Sequence, residues 1–199
     1  MALIPVADRD IATVVTRLEM DRRPTPRPFP VSPLRLVAWP QPHAARYRLL
    51  FERIGAPWLW YSRLAMDEPA LIAIIHDPKV AVHAVIDRAG IEIGMLELDF
   101  RMPAFCEIAY FGLVPALAGK GHGRWLMAEA LARAWMPGVE QVRVHTCTLD
   151  HPSALGFYRA QGFVARQRTL ESFPDPRLLG LLPAEAAPQI PMILTRSSY

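Results

Sequence analysis

Hydrophobic and polar residues follow different spacings along the chain, and each spacing predicts a different element. In residues 44–54 apolar side chains recur every three or four positions, which is the spacing of a helix with one buried face. Residues 68–76 show the same pattern and predict a second helix. Residues 12–20 and 34–39 are rich in β-branched and apolar residues and predict strands. We expect these two strands to pair with each other across the proline-rich segment between them.

The second half of the chain alternates between strand and helix patterns. It predicts strands over residues 80–86, 91–100, 106–114, 141–149 and 163–173, and helices over residues 123–135 and 152–161. The first two of these strands are joined by Asp87–Gly90, which has the composition of a hairpin turn. Helices, then antiparallel strands, then strands alternating with helices are typical of an α+β (mixed α/β) domain.

Composition and charge narrow the class of protein. The chain of 199 residues is 52% hydrophobic, so it can bury one core, and we expect a single domain. The formal net charge of +3 comes without a dense run of lysine or arginine, so it suits an anionic small ligand and does not indicate nucleic-acid binding. No apolar run approaches the roughly 20 residues of a membrane-spanning helix, and the first residues do not resemble a secretory signal. We therefore expect a cytoplasmic protein without membrane contact.

The two cysteines, Cys106 and Cys147, lie in apolar strand patterns, and we expect buried, reduced thiols. His145 alternates with Cys147 and could share its face, but two ligands are too few for a metal site. We therefore expect no metal.

The most informative stretch joins the strand over residues 106–114 to the helix that follows it. This glycine loop (residues 118–123) contains Gly119, Gly121 and Gly123. Glycine lets the backbone approach a ligand closely, and the start of a helix presents free amides and a partial positive charge. Together they predict a binding site for an anion such as a pyrophosphate. Lys120 and Arg124 add positive charge at its rim.

Other glycine-loop motifs fit this stretch less well. A P-loop requires GxxxxGK(S/T), but Lys120 is followed by Gly121 and no glycine stands at the earlier position. A dinucleotide-binding fingerprint requires GxGxxG, whereas this loop reads GxGxG and then Arg124. From these residues alone, a plain loop and helix start remains an open interpretation.

Residues 117–127 resemble the acetyl-CoA motif of the GNAT N-acetyltransferase superfamily, written Q/R-x-x-G-x-G/A. Gly121 and Gly123 match its two small positions, whereas Ala118 stands where Gln or Arg is usual. The resemblance implies that acetyl-CoA is the co-substrate. It further implies how the cofactor is bound: the main-chain amides of Lys120 to Arg124 hold the pyrophosphate, His122 lies at its rim, and Leu113 and Val114 pair with the pantetheine arm.

A second stretch, DHPSALGFYRAQGF (residues 150–163), is similar to a later GNAT motif, N-x-x-A-x-x-F/L-Y-x-x-x-G-F. Five residues match in register: Ala154, Phe157, Tyr158, Gly162 and Phe163. His151 stands at the position of the Asn, and we expect it to contact the cofactor.

The two motifs occur in the family's order and spacing, so the likeness covers residues 80–173. It implies a GNAT-like fold, with a central, mostly antiparallel, twisted sheet of six to seven strands flanked by about four helices. We expect one domain over residues 1–199 with four parts: an N-terminal strand extension (1–40), a helical acceptor-side region (41–78), the acetyl-CoA-binding core (79–173) and a C-terminal tail (174–199).

The resemblance implies transfer of the acetyl group of acetyl-CoA to a primary amine of a small molecule or peptide, by direct attack in a ternary complex. An alkyl ammonium of pKa near 10.4 costs about 4–5 kcal/mol to deprotonate at pH 7, so a base is needed. In several GNAT enzymes a Glu at the position of Glu107 acts as the base, and we expect the same role here. We expect Glu107, Ala109 and Phe111 to share one face of the strand. A solvated or salt-bridged Glu107 is the alternative.

Two further groups complete the implied chemistry. Tyr158 matches the tyrosine that protonates the leaving thiolate in this family, with a core aromatic as the alternative. The oxyanion that forms during acyl transfer needs a hydrogen-bond donor. We expect the Val114 amide to supply it if the strand bulges before Pro115.

Three aromatic residues are candidates for the acceptor pocket: Trp58, Trp60 and Tyr61. Aromatic faces attract a cationic amine, although these rings could instead cap the core where the N-terminal helices dock. The sequence leaves a homodimer open. It also leaves open a catalytically inactive CoA-binding module with a regulatory or interaction role. A nucleotide hydrolase is disfavoured, because the lysine and hydroxyl residue of a P-loop are missing.

Overall fold

The computed structural model describes residues 3–25 and 28–193. In this part of the chain there are seven strands and four α-helices: β1 (Asp10–Met20), β2 (Arg35–Ala38), α1 (Ala44–Gly55), α2 (Glu68–Ile75), β3 (Val80–Ile86), β4 (Glu92–Asp99), β5 (Phe105–Leu113), α3 (His122–Ala134), β6 (Gln141–Cys147), α4 (Ala154–Ala160) and β7 (Val164–Pro174). The predicted order of elements is confirmed, and the ends differ by one or two residues. The expected α+β class and the mostly antiparallel sheet are confirmed as well.

All seven strands form one sheet in the order β2-β3-β4-β5-β6-β1-β7. Every neighbouring pair is antiparallel except β5 and β6, which run parallel. The prediction that the first two strands pair with each other is wrong, because β1 lies between β6 and β7 whereas β2 pairs with β3 at the opposite edge. Strand β1 buries Leu18 and Met20 in the core, and the short, largely exposed β2 is typical of an edge strand.

Helices cover both faces of the sheet. On the face that we call the α3 face, Leu126 of α3 and Tyr158 of α4 pack against Leu96 of β4. On the opposite α1 face, Phe51 of α1 packs in a cluster with Met95. Neighbouring residues of a strand point to opposite faces, which is why Met95 and Leu96 enter different clusters. Each fully buried Leu, Phe or Met contributes roughly 1.5–3 kcal/mol through its removal from water.

A β-bulge interrupts the pairing of β4 with β5. Leu98 pairs with Ile108 and Glu97 pairs with Tyr110, so Ala109 is an extra residue without a partner on β4. An extra residue bends the bulged strand and increases its twist. Beyond Ala109, β5 therefore leaves the direction in which it pairs with β6.

The bulge also reverses the faces of the residues that follow it. Phe111 packs in the α3-face cluster together with Ile108, whereas Tyr110 packs on the α1 face. The prediction that Glu107, Ala109 and Phe111 share a face is wrong, because the extra residue at Ala109 shifts the alternation by one. Glu107 lies on the α1 face, opposite to Phe111.

Residues after β7 fold back and are held by a buried ion pair. Arg177 donates to both carboxylate oxygens of Asp175 and to the carbonyl oxygens of Ala186 and Ile190. Leu182 and Ala187 pack in a third apolar cluster with the end of β7. None of the described helices is both long and apolar enough to cross a membrane.

Candidate active site

A cleft of about 680 Å³ opens where β5 and β6 separate. The two strands pair only from Phe105 to Ile108, because the bulge at Ala109 turns the rest of β5 away. The cleft extends from the glycine loop, along β5, to Tyr158 and His145. A concave and mostly apolar site with a few polar groups is typical of ligand binding.

The glycine loop presents free amides at one end of the cleft. The N–H groups of Gly119, Gly121, His122 and Gly123 donate to no acceptor within the described chain. Gly121 caps α3 with φ of 81°, a conformation that residues with a Cβ adopt rarely, and no side chain caps the helix. The remaining two amides of the predicted set are used internally: that of Lys120 lies 3.5 Å from the Leu117 oxygen and that of Arg124 lies 3.1 Å from the Gly121 oxygen.

Side chains around the loop differ in where they point. Arg124 lines the cleft, whereas Lys120 is exposed and does not line it. The ring of His122 lies beside Ser32, with 3.1 Å between Nδ1 and Oγ, and does not line the cleft. Of the two cationic residues predicted at the rim, Arg124 is therefore the one that lines the cleft.

The edge of β5 faces the cleft with unpaired main-chain groups. The Val114 amide donates to the Ile93 oxygen at 2.9 Å, so the expectation that a bulge frees this amide is wrong; the bulge lies at Ala109 instead. Hydrogen-bonded and non-hydrogen-bonded pairs alternate along antiparallel strands. The N–H and C=O groups of Leu113 and Phe111 consequently point away from β4 and towards the cleft.

Glu107 is paired with a histidine of the neighbouring strand. The Oε1 atom of Glu107 lies 2.6 Å from Nδ1 of His145. His145 lines the cleft and Glu107 does not, so the carboxylate stands behind the imidazole. A neutral imidazole that donates its Nδ1–H to the carboxylate presents Nε2 as an acceptor.

Tyr158 lies at the inner end of the cleft. Its side chain is buried, and burial, followed by the charge of the nearby Asp150, raises the pKa of Tyr158 above that of an ordinary tyrosine. No hydrogen bond from a described residue acts on its hydroxyl. The phenol therefore stays protonated near neutral pH and is free to donate to a ligand.

Asp150 is a cleft residue that the sequence patterns did not single out. Its carboxylate accepts from the Thr146 hydroxyl at 2.7 Å, from the Cys147 amide at 2.9 Å and from Nε1 of Trp60 at 3.3 Å. It thereby fixes the end of β6 next to Tyr158. The signal available in the sequence was its place directly before His151, at the end of a strand pattern.

The three predicted acceptor aromatics have different surroundings. Trp58 and Trp60 line the cleft, whereas Tyr61 stacks on Phe173 with ring centres 4.6 Å apart and does not line it. Trp58 meets the ring of His151 edge to face at 5.3 Å. His151 also lines the cleft, and its Nδ1 lies 2.7 Å from the Ser153 hydroxyl.

Trp60 is packed tightly between α1 and β5. A Cβ added at Gly55 would lie 2.4 Å from Trp60, and one added at Gly112 would lie 3.1 Å from it. These two glycines leave the space that the indole fills. Trp60 therefore forms a wall of the cleft whose position is set by core packing.

A second, polar depression adjoins the cleft on the α1 face and has a volume of about 480 Å³. It is lined by Val15, Arg17, His145, Gln167, Thr169, Leu170, Glu171 and Ser172. Val15, His145 and Glu171 line both cavities, so the two are continuous. The sequence patterns missed Arg17 and Glu171, because strand order alone brings β1, β6 and β7 together.

Within the described residues, no group of three or more His, Cys, Asp or Glu side chains is placed to hold a metal ion. Both cysteines are free thiols; Cys106 is buried, as expected, whereas Cys147 is only partly buried. Burial raises the pKa of Cys106 to about 12 and also raises that of Cys147. Neither thiol is therefore an effective nucleophile near neutral pH.

A sequence profile of the acetyltransferase (GNAT) family matches residues 35–163. The matched range extends from β2 to the end of α4 and includes the glycine loop, His145 and Tyr158. Among curated proteins, none matches the chain significantly.

Solved structures share the fold at low sequence identity. A conserved protein of unknown function from Staphylococcus epidermidis has a TM-score of 0.54 at 11% identity, over 83% of this chain and 63% of that one. A GCN5-related N-acetyltransferase from Sphaerobacter thermophilus has a TM-score of 0.54 at 17% identity, over 83% and 52%. An aminoglycoside acetyltransferase from a soil metagenome, in complex with sisomicin, has a TM-score of 0.55 at 15% identity, over 69% and 92%. The chain thus spans less than two thirds of the first two proteins.

Proposed function

The chain belongs to the acetyltransferase (GNAT) family, and from that premise we propose that it transfers the acetyl group of acetyl-CoA to a primary amine of a small molecule or peptide, by direct attack in a ternary complex. One observation carries the proposal. A single cleft joins the free amides of the glycine loop to the Glu107–His145 pair and to Tyr158. An anion site, a proton acceptor and a proton donor along one channel are what acyl transfer from a phosphorylated donor to an amine requires.

The residues present fit acetyl-CoA, which supplies an acyl thioester when it is bound. The free amides of Gly121, His122 and Gly123 and the charge of Arg124 suit the phosphates. The main-chain groups of Leu113 suit the amide-containing pantetheine arm, because they face the cleft without a strand partner.

In this proposal His145 removes the proton from the attacking amine, and Glu107 holds His145 in place. The 2.6 Å contact fixes the ring so that Nε2 is the accepting nitrogen, and the carboxylate stabilises the imidazolium that forms. The role assigned to Glu107 from the sequence is thus retained in an indirect form. Glu107 becomes a positioning residue, since the group that lines the cleft is His145.

Tyr158 donates a proton to the departing sulfur. Its raised pKa keeps the phenol protonated, and its hydroxyl makes no competing hydrogen bond with a described residue. The ring of Phe111 meets that of Tyr158 edge to face, with centres 6.1 Å apart. The main-chain amide of Phe111 is our candidate for the donor that stabilises the oxyanion. It replaces the Val114 amide, which is bonded to Ile93.

The direct test is release of the CoA thiol from acetyl-CoA in the presence of amines of several classes: amino acids, polyamines, short peptides and aminoglycosides. We expect amine-dependent release and an acetylated product detected by mass spectrometry. Acetyl-CoA binding without transfer to any amine would instead support an inactive CoA-binding module.

The Glu107–His145 pair is tested by a double-mutant cycle. We expect His145→Gln to lower kcat by about 10²- to 10⁴-fold, which is the range for loss of a general base. Glu107→Gln acts through His145, so adding it to His145→Gln lowers kcat little further. Additive losses would contradict the arrangement in which one residue acts through the other.

A further inference from the structure

The polar depression places a guanidinium directly beside the imidazole that faces the cleft. Arg17 of β1 pairs across the strands with His145 of β6, and directly opposed residues have Cβ atoms roughly 4.5–5.5 Å apart. Both side chains line the depression, and His145 also lines the cleft. A ligand group bound by Arg17 is therefore held close to the nitrogen that accepts the proton.

Arg17 has hydrogen-bond donors that no described residue uses. Its Nε lies 3.1 Å from Oε1 of Glu19, but at an angle that makes no hydrogen bond, so Nε is buried without an acceptor. Glu19 is shared with Arg143 and Arg166, at 3.6 and 3.7 Å, and Arg166 also pairs with Asp21. Three guanidiniums thus share the carboxylates of Glu19 and Asp21, and Arg17 makes no hydrogen bond to either, so an anionic ligand group gains a charge-assisted partner at Arg17.

We propose, building on the function proposed above, that the acceptor is a free α-amino acid, whose carboxylate is bound by Arg17 and whose α-amine lies at His145. An α-amino acid carries its amine and carboxylate on one carbon atom. That short separation matches two side chains on directly opposed positions of neighbouring strands. A peptide N-terminus or a simple diamine has no carboxylate at this distance.

The bonds and protons of the reaction balance with the groups present. His145 takes a proton from the α-ammonium, and the freed nitrogen forms the bond to the acetyl carbon. The carbon–sulfur bond breaks, and the sulfur takes a proton from Tyr158. The acylated nitrogen then loses its second proton, which restores the Tyr158 phenol through solvent, while His145 keeps the first proton. The products are an Nα-acetyl amino acid and the CoA thiol.

The rest of the depression selects the amino-acid side chain. Thr169 and Gln167 lie beyond His145 on β7, and Glu171 ends the depression. Glu171 forms no ion pair within the described chain, and it is the carboxylate that lines both cavities. A cationic side chain, as in lysine, is therefore favoured over an aliphatic one.

The substrate class is tested with three matched amines: lysine, lysinamide and cadaverine. They differ only in the α-carboxylate, which is intact, converted to an amide or absent. We expect kcat/KM to fall by about 10- to 100-fold when the carboxylate is removed, as for loss of a charge-assisted hydrogen bond. We also expect acetylation at Nα of lysine and not at Nε.

The matched variants are Arg17→Met and Arg168→Met. Arg168 pairs with Thr16, so it carries the same charge on the opposite face of the sheet. We expect Arg17→Met to remove the preference for lysine over lysinamide and Arg168→Met to preserve it. Glu171→Gln is expected to reduce the preference for lysine over norleucine by about 10-fold.

Binding supplies a readout that needs no turnover. In the presence of CoA, calorimetry is expected to show lysine binding at least 10-fold more tightly than lysinamide, and Arg17→Met to abolish the difference. Equal acetylation of all three amines, acetylation at Nε, or equal effects of the two arginine variants would overturn the amino-acid proposal while leaving acetyl transfer intact. Transfer to none of the tested amine classes would overturn both.

Discussion

Tyr158 combines two properties that are rarely found together, a buried phenol and a hydroxyl without a protein partner. We predict that Tyr158→Phe lowers kcat by about 10²- to 10⁴-fold, because it removes the proton donor without changing the shape of the cleft. The affinity for acetyl-CoA is expected to stay within about twofold, since the ring remains in place. Steady-state kinetics and calorimetry measure the two quantities. An unchanged kcat would assign Tyr158 to packing alone.

The place of a residue in the cleft was predictable where a local motif contained that residue. Tyr158 and the loop glycines belong to contiguous motifs, and the structure brings them to one cleft. The contribution of His145 was not predictable, because it depends on a side-chain contact between two strands whose register the sequence does not state. Asp150 was missed for a related reason: its contact with Trp60, which lies 90 positions earlier in the chain, forms only on folding.

At the scale of elements, a buried ionic cluster supports the bulge in β5. Glu97 is fully buried and accepts from the Tyr47 hydroxyl and from the Arg63 guanidinium, each at 2.5 Å. Burial alone would lower the pKa of Arg63, but the Glu97 charge outweighs it and raises the pKa. Arg63 also lies over the ring of Tyr110, the strand partner of Glu97 beside the bulge. The cluster thus joins α1, β4 and β5 beneath the cleft.

We predict that Glu97→Gln lowers the free energy of unfolding by about 3–5 kcal/mol, because it leaves the buried Arg63 without a counter-charge. Urea denaturation measures the change. The matched control is Glu92→Gln, the same substitution on the same strand. Its pair with the exposed Arg46 is solvated, so we expect a loss of less than about 1 kcal/mol. Similar losses for both variants would contradict the role of burial.

The segment after β7 is held by the Asp175–Arg177 ion pair, whose contribution to stability depends on pH. Burial would raise the pKa of Asp175, but hydrogen bonds from Arg177 outweigh it and lower the pKa. A carboxyl group whose pKa is lower in the folded state stabilises the fold at pH values above its unfolded-state pKa. This stabilisation is lost as the pH falls through the folded-state pKa. We predict that Asp175→Asn is less stable than the parent at pH 7 and that the difference shrinks below about pH 4. Thermal unfolding at several pH values measures the difference in stability. A difference that does not change with pH would contradict this prediction.

At the scale of the whole molecule, a ligand that binds only the folded state raises the free energy of unfolding. At a concentration 100 times its Kd, acetyl-CoA is expected to add about 2.7 kcal/mol and to raise Tm by about 5–10 °C. Gly123→Glu is predicted to abolish the shift by placing a carboxylate among the free amides of the glycine loop, whereas Gly123→Gln retains part of it. A Cβ at Gly123 meets nothing closer than 3.7 Å, and its backbone is helical, so both variants are expected to fold. Equal shifts for the two variants would show that charge at this position does not matter.

The sequence by itself determined the elements, their order and the glycine loop, because hydrophobic periodicity and glycine placement act over a few neighbouring residues. Only the tertiary structure decided that β1 lies between β6 and β7, that the bulge at Ala109 opens the cleft, and that Arg17 stands beside His145. These features depend on strand order and register, which arise from contacts between residues far apart in the chain. A single inserted residue or a different neighbour changes which side chains meet, while the local pattern of each strand stays the same.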